Sequence, residues 1–289
     1  MKILVPIDFS DRSKKALKVA DKFASLFDGT VTPFYSHLPI SELDEPYALG
    51  MSTKMYQKFE DLEHTLVDRV NEIAAENVDA TRLGKSVVVM GNAAQGIIDA
   101  SEDYDYVIMS SHGRTGFSRF LLGSVSEKVL RLCNKPVMIV ENDSDVDDFK
   151  KILVTTDFSE NSAEAFPYAI EIAKATGAEV DLVHILSFDQ FEDEEKDLSL
   201  RKIREERLKL LKKEHFNDIS DQINHHVIVS QDSPHEAIYN HVKENPYHLI
   251  VMATVGRTGI NYLMMGSTTA NVVRHVKTAV LSVNPKKSH

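Results

Sequence analysis

Residues 3–10 read ILVPIDFS and residues 152–159 read ILVTTDFS. Each is a short apolar run closed by an aspartate, and the two stand 149 positions apart. A second pair confirms the repeat: residues 113–124 read GRTGFSRFLLGS and residues 256–267 read GRTGINYLMMGS, 143 positions apart. Self-similarity at this distance means two copies of one unit, offset by a small net indel. The copies span 1–142 and 150–289, and the acidic, polar stretch ENDSDVDD at 141–148 is the natural linker.

Working outward from ILVPIDFS, the first copy alternates strand and helix. Strands are predicted at 2–7, 30–36, 85–90, 105–110 and 136–141. Helices are predicted at 11–27, where Ala16, Leu17, Ala20, Phe23, Ala24 and Phe27 keep helical spacing, and at 51–77, 94–102 and 124–132. The second copy repeats the rhythm, with strands near 151–156, 179–185, 225–230, 248–253 and 279–284. The apolar runs are continuous, as in strands covered on both faces. Alternating strands and helices imply right-handed crossovers and a parallel sheet. The expected fold class is α/β: two doubly wound, open, five-stranded parallel-sheet domains. Pro33 argues against a central position for the 30–36 strand, because proline donates no ladder hydrogen bond.

Such sheets bind ligands beyond the carboxyl ends of their strands. Asp8 and Asp157 end first strands, and Ser110 and Ala253 end fourth strands just before the glycine loops. In each loop nine residues separate Gly113 from Gly123 and Gly256 from Gly266, and a serine follows, Ser124 or Ser267. A helix starting there offers free N–H groups and a positive dipole end to a phosphate. Arg114, Arg119 and Lys128 add charge to the first loop. The second keeps Arg257 but has Asn261 in place of Arg119. The rival account makes the glycines turn residues and Ser124 an N-cap. Two copies at identical spacing favour the phosphate.

Composition narrows the classes. The chain has 289 residues, 33 Lys+Arg against 44 Asp+Glu, and a net charge of −11. Its apolar (43%) and charged (27%) fractions are those of a globular protein. The acidic balance argues against nucleic acid as the main partner. Cys133 is the sole cysteine, so no disulfide forms within the chain, which fits a cytoplasmic location. The apolar stretch 3–7 is too short for a signal-peptide core, and no 18-residue apolar run could span a membrane. The motifs G-x-x-x-x-G-K-[ST], G-x-G-x-x-G after the first strand, G-x-S-x-G, H-E-x-x-H and paired C-x-x-C are all absent. No dedicated transition-metal site or catalytic residue is assigned. His112 has Val255 as its counterpart and reads as a solvated loop histidine, with a phosphate contact as the lesser alternative. His225 and His226, adjacent in a strand, point to opposite faces. Cys133 reads as a buried, inert thiol. The acidic-to-basic run 192–214 reads as a helix with a solvated face. Met51, Met55, Met264 and Met265 flank the ligand mouths and read as core filling.

Taken together, ILVPIDFS, ILVTTDFS, HGRTGFSRFLLGSVSEKVLRLCNKPVMIV at 112–140 and VGRTGINYLMMGSTTANVVRHVKTAVLSV at 255–283 resemble the universal stress protein family in its tandem form, over essentially the whole chain. The resemblance implies ATP, or ADP or AMP, as ligand, with Mg²⁺ held mainly by its phosphates. It places Pro6, Ile7, Asp8 and Ser36 around the first adenine, and Thr155, Thr156, Asp157 and Ile185 around the second. It places Ser110, Gly113, Arg114, Gly116, Gly123, Ser124 and Val125 on the first ribose and phosphates. Ala253, Gly256, Arg257, Gly259, Gly266, Ser267 and Thr268 take those places in the second copy. The sequence departs from the family's G-x-x-G at Ser110 and Ala253, both small. The resemblance also implies that the closing strands 136–141 and 279–284 pair with each other or across a dimer, so that one chain imitates a homodimer. The expected function is a nucleotide-responsive stress or regulatory module working through an unidentified protein partner. The rivals are a slow ATP hydrolase and a nucleotide-free, chaperone-like interaction protein.

Overall fold

The computed structural model describes residues 1–37, 53–112, 122–141, 144, 149–187, 194–255 and 265–285, with 53–63 and 194–197 described as backbone alone. The first copy runs β1 (Lys2–Pro6), α1 (Asp11–Ser25), β2 (Thr30–His37), α2 (Thr53–Asn77), β3 (Val87–Met90), α3 (Ala93–Ser101), β4 (Tyr106–Ser110), α4 (Ser124–Leu132) and β5 (Val137–Val140). The second runs β6 (Lys151–Thr155), α5 (Glu160–Ala163), α6 (Phe166–Thr176), β7 (Glu179–Ser187), α7 (Glu194–His215), β8 (Ile223–Ser230), α8 (Pro234–Glu244), β9 (Leu249–Ala253), α9 (Ser267–His275) and β10 (Ala279–Val283).

The ten strands form one sheet in the order β3-β2-β1-β4-β5-β10-β9-β6-β7-β8. Every pairing is parallel except that of β5 with β10, where Val280 lies opposite Ile139 and Leu281 opposite Met138. Each half is a doubly wound unit in which strand order reverses between β1 and β4 and between β6 and β9. The closing strands meet each other within the chain.

Strand residues alternate between two apolar layers, which is why the runs are continuous. Ile3 and Val5 join a cluster with α1, α2, α6 and α7, and Leu4 joins one with α3, α4, α8 and α9. Both clusters draw on both halves. On the first face Phe23 stacks edge-on against Tyr106 and Phe149, and the Tyr106 hydroxyl donates to Glu171 Oε2 of the other half (3.0 Å).

The expectation drawn from Pro33 is corrected. β2 is an interior strand, and Pro33 pairs with Val5. Val31 exchanges hydrogen bonds with Arg82 and Gly84 on the outer side, and the β2–β3 ladder begins at Phe34. Pro33 faces outward like Val31, at the gap before β3 starts, so no ladder bond is lost. Helix α7 carries residues 194–214 of the acidic-to-basic run, residues 192–193 lying outside the described residues: Leu208 is buried, and Arg201 pairs with Glu205 (2.9 Å) at the solvent face. No helix among the described residues is long and apolar enough to cross a membrane.

Candidate functional site

Each half holds a cavity at the carboxyl ends of its strands. The first, of about 200 Å³, is lined by Pro6, Ile7, Asp8, Ser36, Ser110, Gly123, Ser124 and Val125, all expected from the sequence. The second, of about 270 Å³, is lined by Thr155, Thr156, Asp157, Ile185, Ala253, Gly266, Ser267 and Thr268. A third cavity, of about 410 Å³, is lined by Asp232, His235, Glu236 and His275. Duplication singles out the first two. Gly113, Arg114, Gly116, Gly256, Arg257 and Gly259 lie outside the described residues, as do Arg119, Asn261, Met51, Met264 and the side chain of Met55.

One side of each cavity is shaped by the aspartate two residues past its first strand, β1 or β6. Asp8 Oδ1 accepts from the Ser10 N–H (3.1 Å) and hydroxyl (2.6 Å). Asp157 Oδ1 accepts the same pair from Ser159, at 2.9 and 2.5 Å. Ser10 and Ser159 in turn cap α1 and α5. The residues between, Phe9 and Phe158, adopt left-handed backbone (φ 68° and 65°), uncommon for side chains of that bulk. Their rings lie against Tyr35 (4.5 Å between centroids) and His184 (4.2 Å). His184 Nδ1 lies 2.8 Å from the Thr156 carbonyl, and Ser36 donates to the carbonyl of Gly91 (2.7 Å).

The other end of each cavity is a helix start. Gly123 is the N-cap of α4 and Gly266 that of α9, and neither has a side-chain cap. Ser124 is therefore the first helical residue, and the N-cap role weighed for it is corrected. The first-turn N–H groups of a helix have no intrahelical acceptor, so here they are left to face a ligand or solvent. Glycine is required by approach, not by φ, which is ordinary at −61° and −58°. A Cβ on Gly123 would meet Ser111 O at 3.0 Å, and one on Gly266 would meet Thr254 O at 3.0 Å. Each glycine also donates its N–H to that oxygen, at 2.9 and 2.7 Å.

Sequence reasoning missed a second hydroxyl in each helix. Ser126 donates to the Ser110 carbonyl (3.0 Å) and Thr269 to that of Ala253 (2.8 Å), pinning the helix start to the end of the fourth strand. Their shared repeat position, two residues after Ser124 and Ser267, was the signal. It also missed the walls supplied by Ala93 and Ile97 of α3 and by Pro234 and Ile238 of α8.

The solvated reading of His112 is corrected too. It is 7% exposed and lines the first cavity, because the chain turns inward under the start of α4. Its Nδ1 lies 2.8 Å from Ser111 Oγ, while Nε2 is buried with no hydrogen-bond partner among the described residues. Burial, then the charge of Arg12, holds its pKa below the ordinary value, so the ring is neutral near pH 7. Val255, 2% exposed, takes the matching place in the second cavity. Cys133 is buried, and its thiol pKa is raised chiefly by burial, in keeping with an inert role. Met265 is partly buried against the core. No group of three or more metal-ligating side chains occurs among the described residues.

The fold and paired cavities define a tandem α/β protein with one candidate binding site per half. The universal stress protein family model matches residues 1–141 and again 148–284, and the chain belongs to that family. A universal stress protein of Mycolicibacterium smegmatis is 27% identical, over 98% of this chain and 97% of its own length. One from Methanocaldococcus jannaschii is 32% identical over 48% of this chain and 94% of its own, a relative the size of one half. The crystal structure of a universal stress protein from Archaeoglobus fulgidus superposes with a TM-score of 0.68 at 25% identity, covering 100% of this chain and 97% of that one.

Proposed function

We propose that the chain binds ATP, or a related adenine nucleotide, in each half and works as a nucleotide-responsive stress or regulatory module. The observation that carries this reading is the duplicated helix start, with a glycine N-cap, no side-chain cap and a serine as first residue, opening onto a cavity at the strand ends. An anion there gains backbone N–H donors and the positive helix end. The opposite walls suit a flat, apolar base with polar edges. Ile7, Ile97 and Met109 line the first cavity beside Asp8, and Ile185, Ile238 and Met252 line the second beside Asp157. The loop segments 113–121 and 256–264, with Arg114, Gly116, Arg257 and Gly259, complete the phosphate side in this reading. Mg²⁺ arriving with ATP is held by the phosphates. The units are proposed as 1–142 and 150–289, acting in the cytoplasm.

Mass spectrometry of small molecules released from freshly purified, denatured protein tests the reading, followed by calorimetric titration with ATP. Recovered adenine nucleotide and a saturable titration are expected. An empty extract together with flat titrations of ATP, ADP and AMP overturns it, and makes the glycine loops structural.

A further inference from the structure

The two cavities share a helix start and an aspartate but differ along their walls: Tyr35 and Ser36 stand where the second has His184 and Ile185. The difference that leaves a buried polar atom unpartnered among the described residues is at His112. Where the first has His112, with a ring nitrogen enclosed and unpartnered, the second has the methyl groups of Val255. A buried polar atom without a partner costs free energy, and a site retains one where a ligand supplies the missing bond. We propose that His112 is a ligand-contacting, specificity-determining residue which makes the first cavity a proton-coupled site for a phosphate-bearing ligand, while the second binds its ligand without that proton. The proposal rests on the nucleotide reading above and adds to it a chemical difference between the halves.

The position of the ring carries the argument. His112 lies on the cavity wall with Gly123 and Ser124, at the anion-favouring end of α4. Ser111 Oγ holds Nδ1, which leaves Nε2 for the ligand. Among the described residues, Arg12 on α1 acts on the ring electrostatically, and Asp8, two residues past β1, lines the same cavity. Helix α4 brings the hydroxyls of Ser124 and Ser126 to the cavity beside Val125, and β2 brings Phe34, Tyr35 and Ser36. In the free protein burial and Arg12 keep the imidazole neutral. A phosphate dianion against Nε2 favours the imidazolium and raises its pKa. Binding at the first site therefore takes up a proton, and affinity there climbs as pH falls through the titration of the liganded ring, levelling off once the free ring is itself protonated. The phosphate's own protonation is a background common to both sites.

Titration of the full-length protein with ATP tests this at about pH 8 and pH 6, in buffers of different ionisation heat. Gly266→Ala, which crowds the second helix start, assigns the sites. In the unaltered protein, first-site affinity should rise about tenfold more than second-site affinity over that range, with net proton uptake. His112→Val, the second cavity's own residue, and His112→Gln, which keeps a neutral donor, should both bring the two sites to the same pH dependence. His112→Gln should retain more first-site affinity at pH 8 and serves if His112→Val fails to fold. Equal pH dependence of the two sites in the unaltered protein, or a difference that survives both substitutions, overturns the inference and leaves nucleotide binding intact. Absence of ATP binding at every pH overturns the nucleotide reading itself, and this inference with it.

Discussion

Gly123 and Gly266 occupy ordinary backbone conformations, so what excludes a side chain is a carbonyl oxygen 3.0 Å from where the Cβ would sit. That oxygen belongs to the main chain beside the cavity and accepts the glycine's own N–H, so it has little freedom to retreat. Gly123→Ala should push the start of α4 away from the strand end. The expected cost is about 1–3 kcal/mol of stability, as for other small overpacking substitutions. The larger effect should fall on the ligand, with a tenfold or greater loss of ATP affinity at the first site and an unchanged second. A thermal melt paired with a two-site titration checks both. A variant that binds ATP like the unaltered protein would show that the helix start is not the phosphate contact. At this scale the sequence carried the glycines, serines and aspartates because repetition marked them. It did not carry the burial of His112, since a single histidine with no counterpart says nothing of how the chain encloses it.

At the scale of elements, the two helices that open the cavities are each secured at the far end by the opposite half. Asn284, just past β10, donates from Nδ2 to the carbonyls of Leu130 (3.1 Å) and Cys133 (2.5 Å), closing the C-terminus of α4. Its Oδ1 accepts from the hydroxyl of Thr254, the residue whose carbonyl receives Gly266. In return Ser144, just past β5, donates to the carbonyl of Lys277 (2.7 Å), beyond the end of α9. Arg274 of α9 also reaches Glu127 of α4 (3.5 Å). Asn284→Ala should cost about 1–3 kcal/mol, since two carbonyls lose their donor. Asn284→Asp should cost more, because a carboxylate cannot donate and sits at the negative helix end. Urea denaturation of the two variants measures the order, and an aspartate variant as stable as the alanine one would contradict it. Strand and helix placement was legible to within a few residues because apolar runs and helical spacing are local signals. The interior place of β2 was not, because whether Pro33 loses a bond depends on where the neighbouring strand begins.

Across the whole molecule, both apolar layers run without a break over the seam between β5 and β10. Met138 and Leu281 face each other there, each fully buried. Such continuity predicts one cooperative unfolding transition, although the chain is two repeats long. Leu281→Ala should lower stability by about 2–5 kcal/mol and move the entire calorimetric peak. Two separated peaks, with only the later half shifted, would show that the halves melt independently. The seam has a further consequence, for inheritance. Two identical subunits meeting across such a seam come from one coding sequence, so every mutation is written into both cavities at once. Here each cavity has its own coding sequence, and a change in one is not copied to the other. His112 opposite Val255 is a difference that identical subunits cannot hold. The cell therefore makes two unlike cavities in a fixed one-to-one ratio at every level of expression, and selection can act on either one alone.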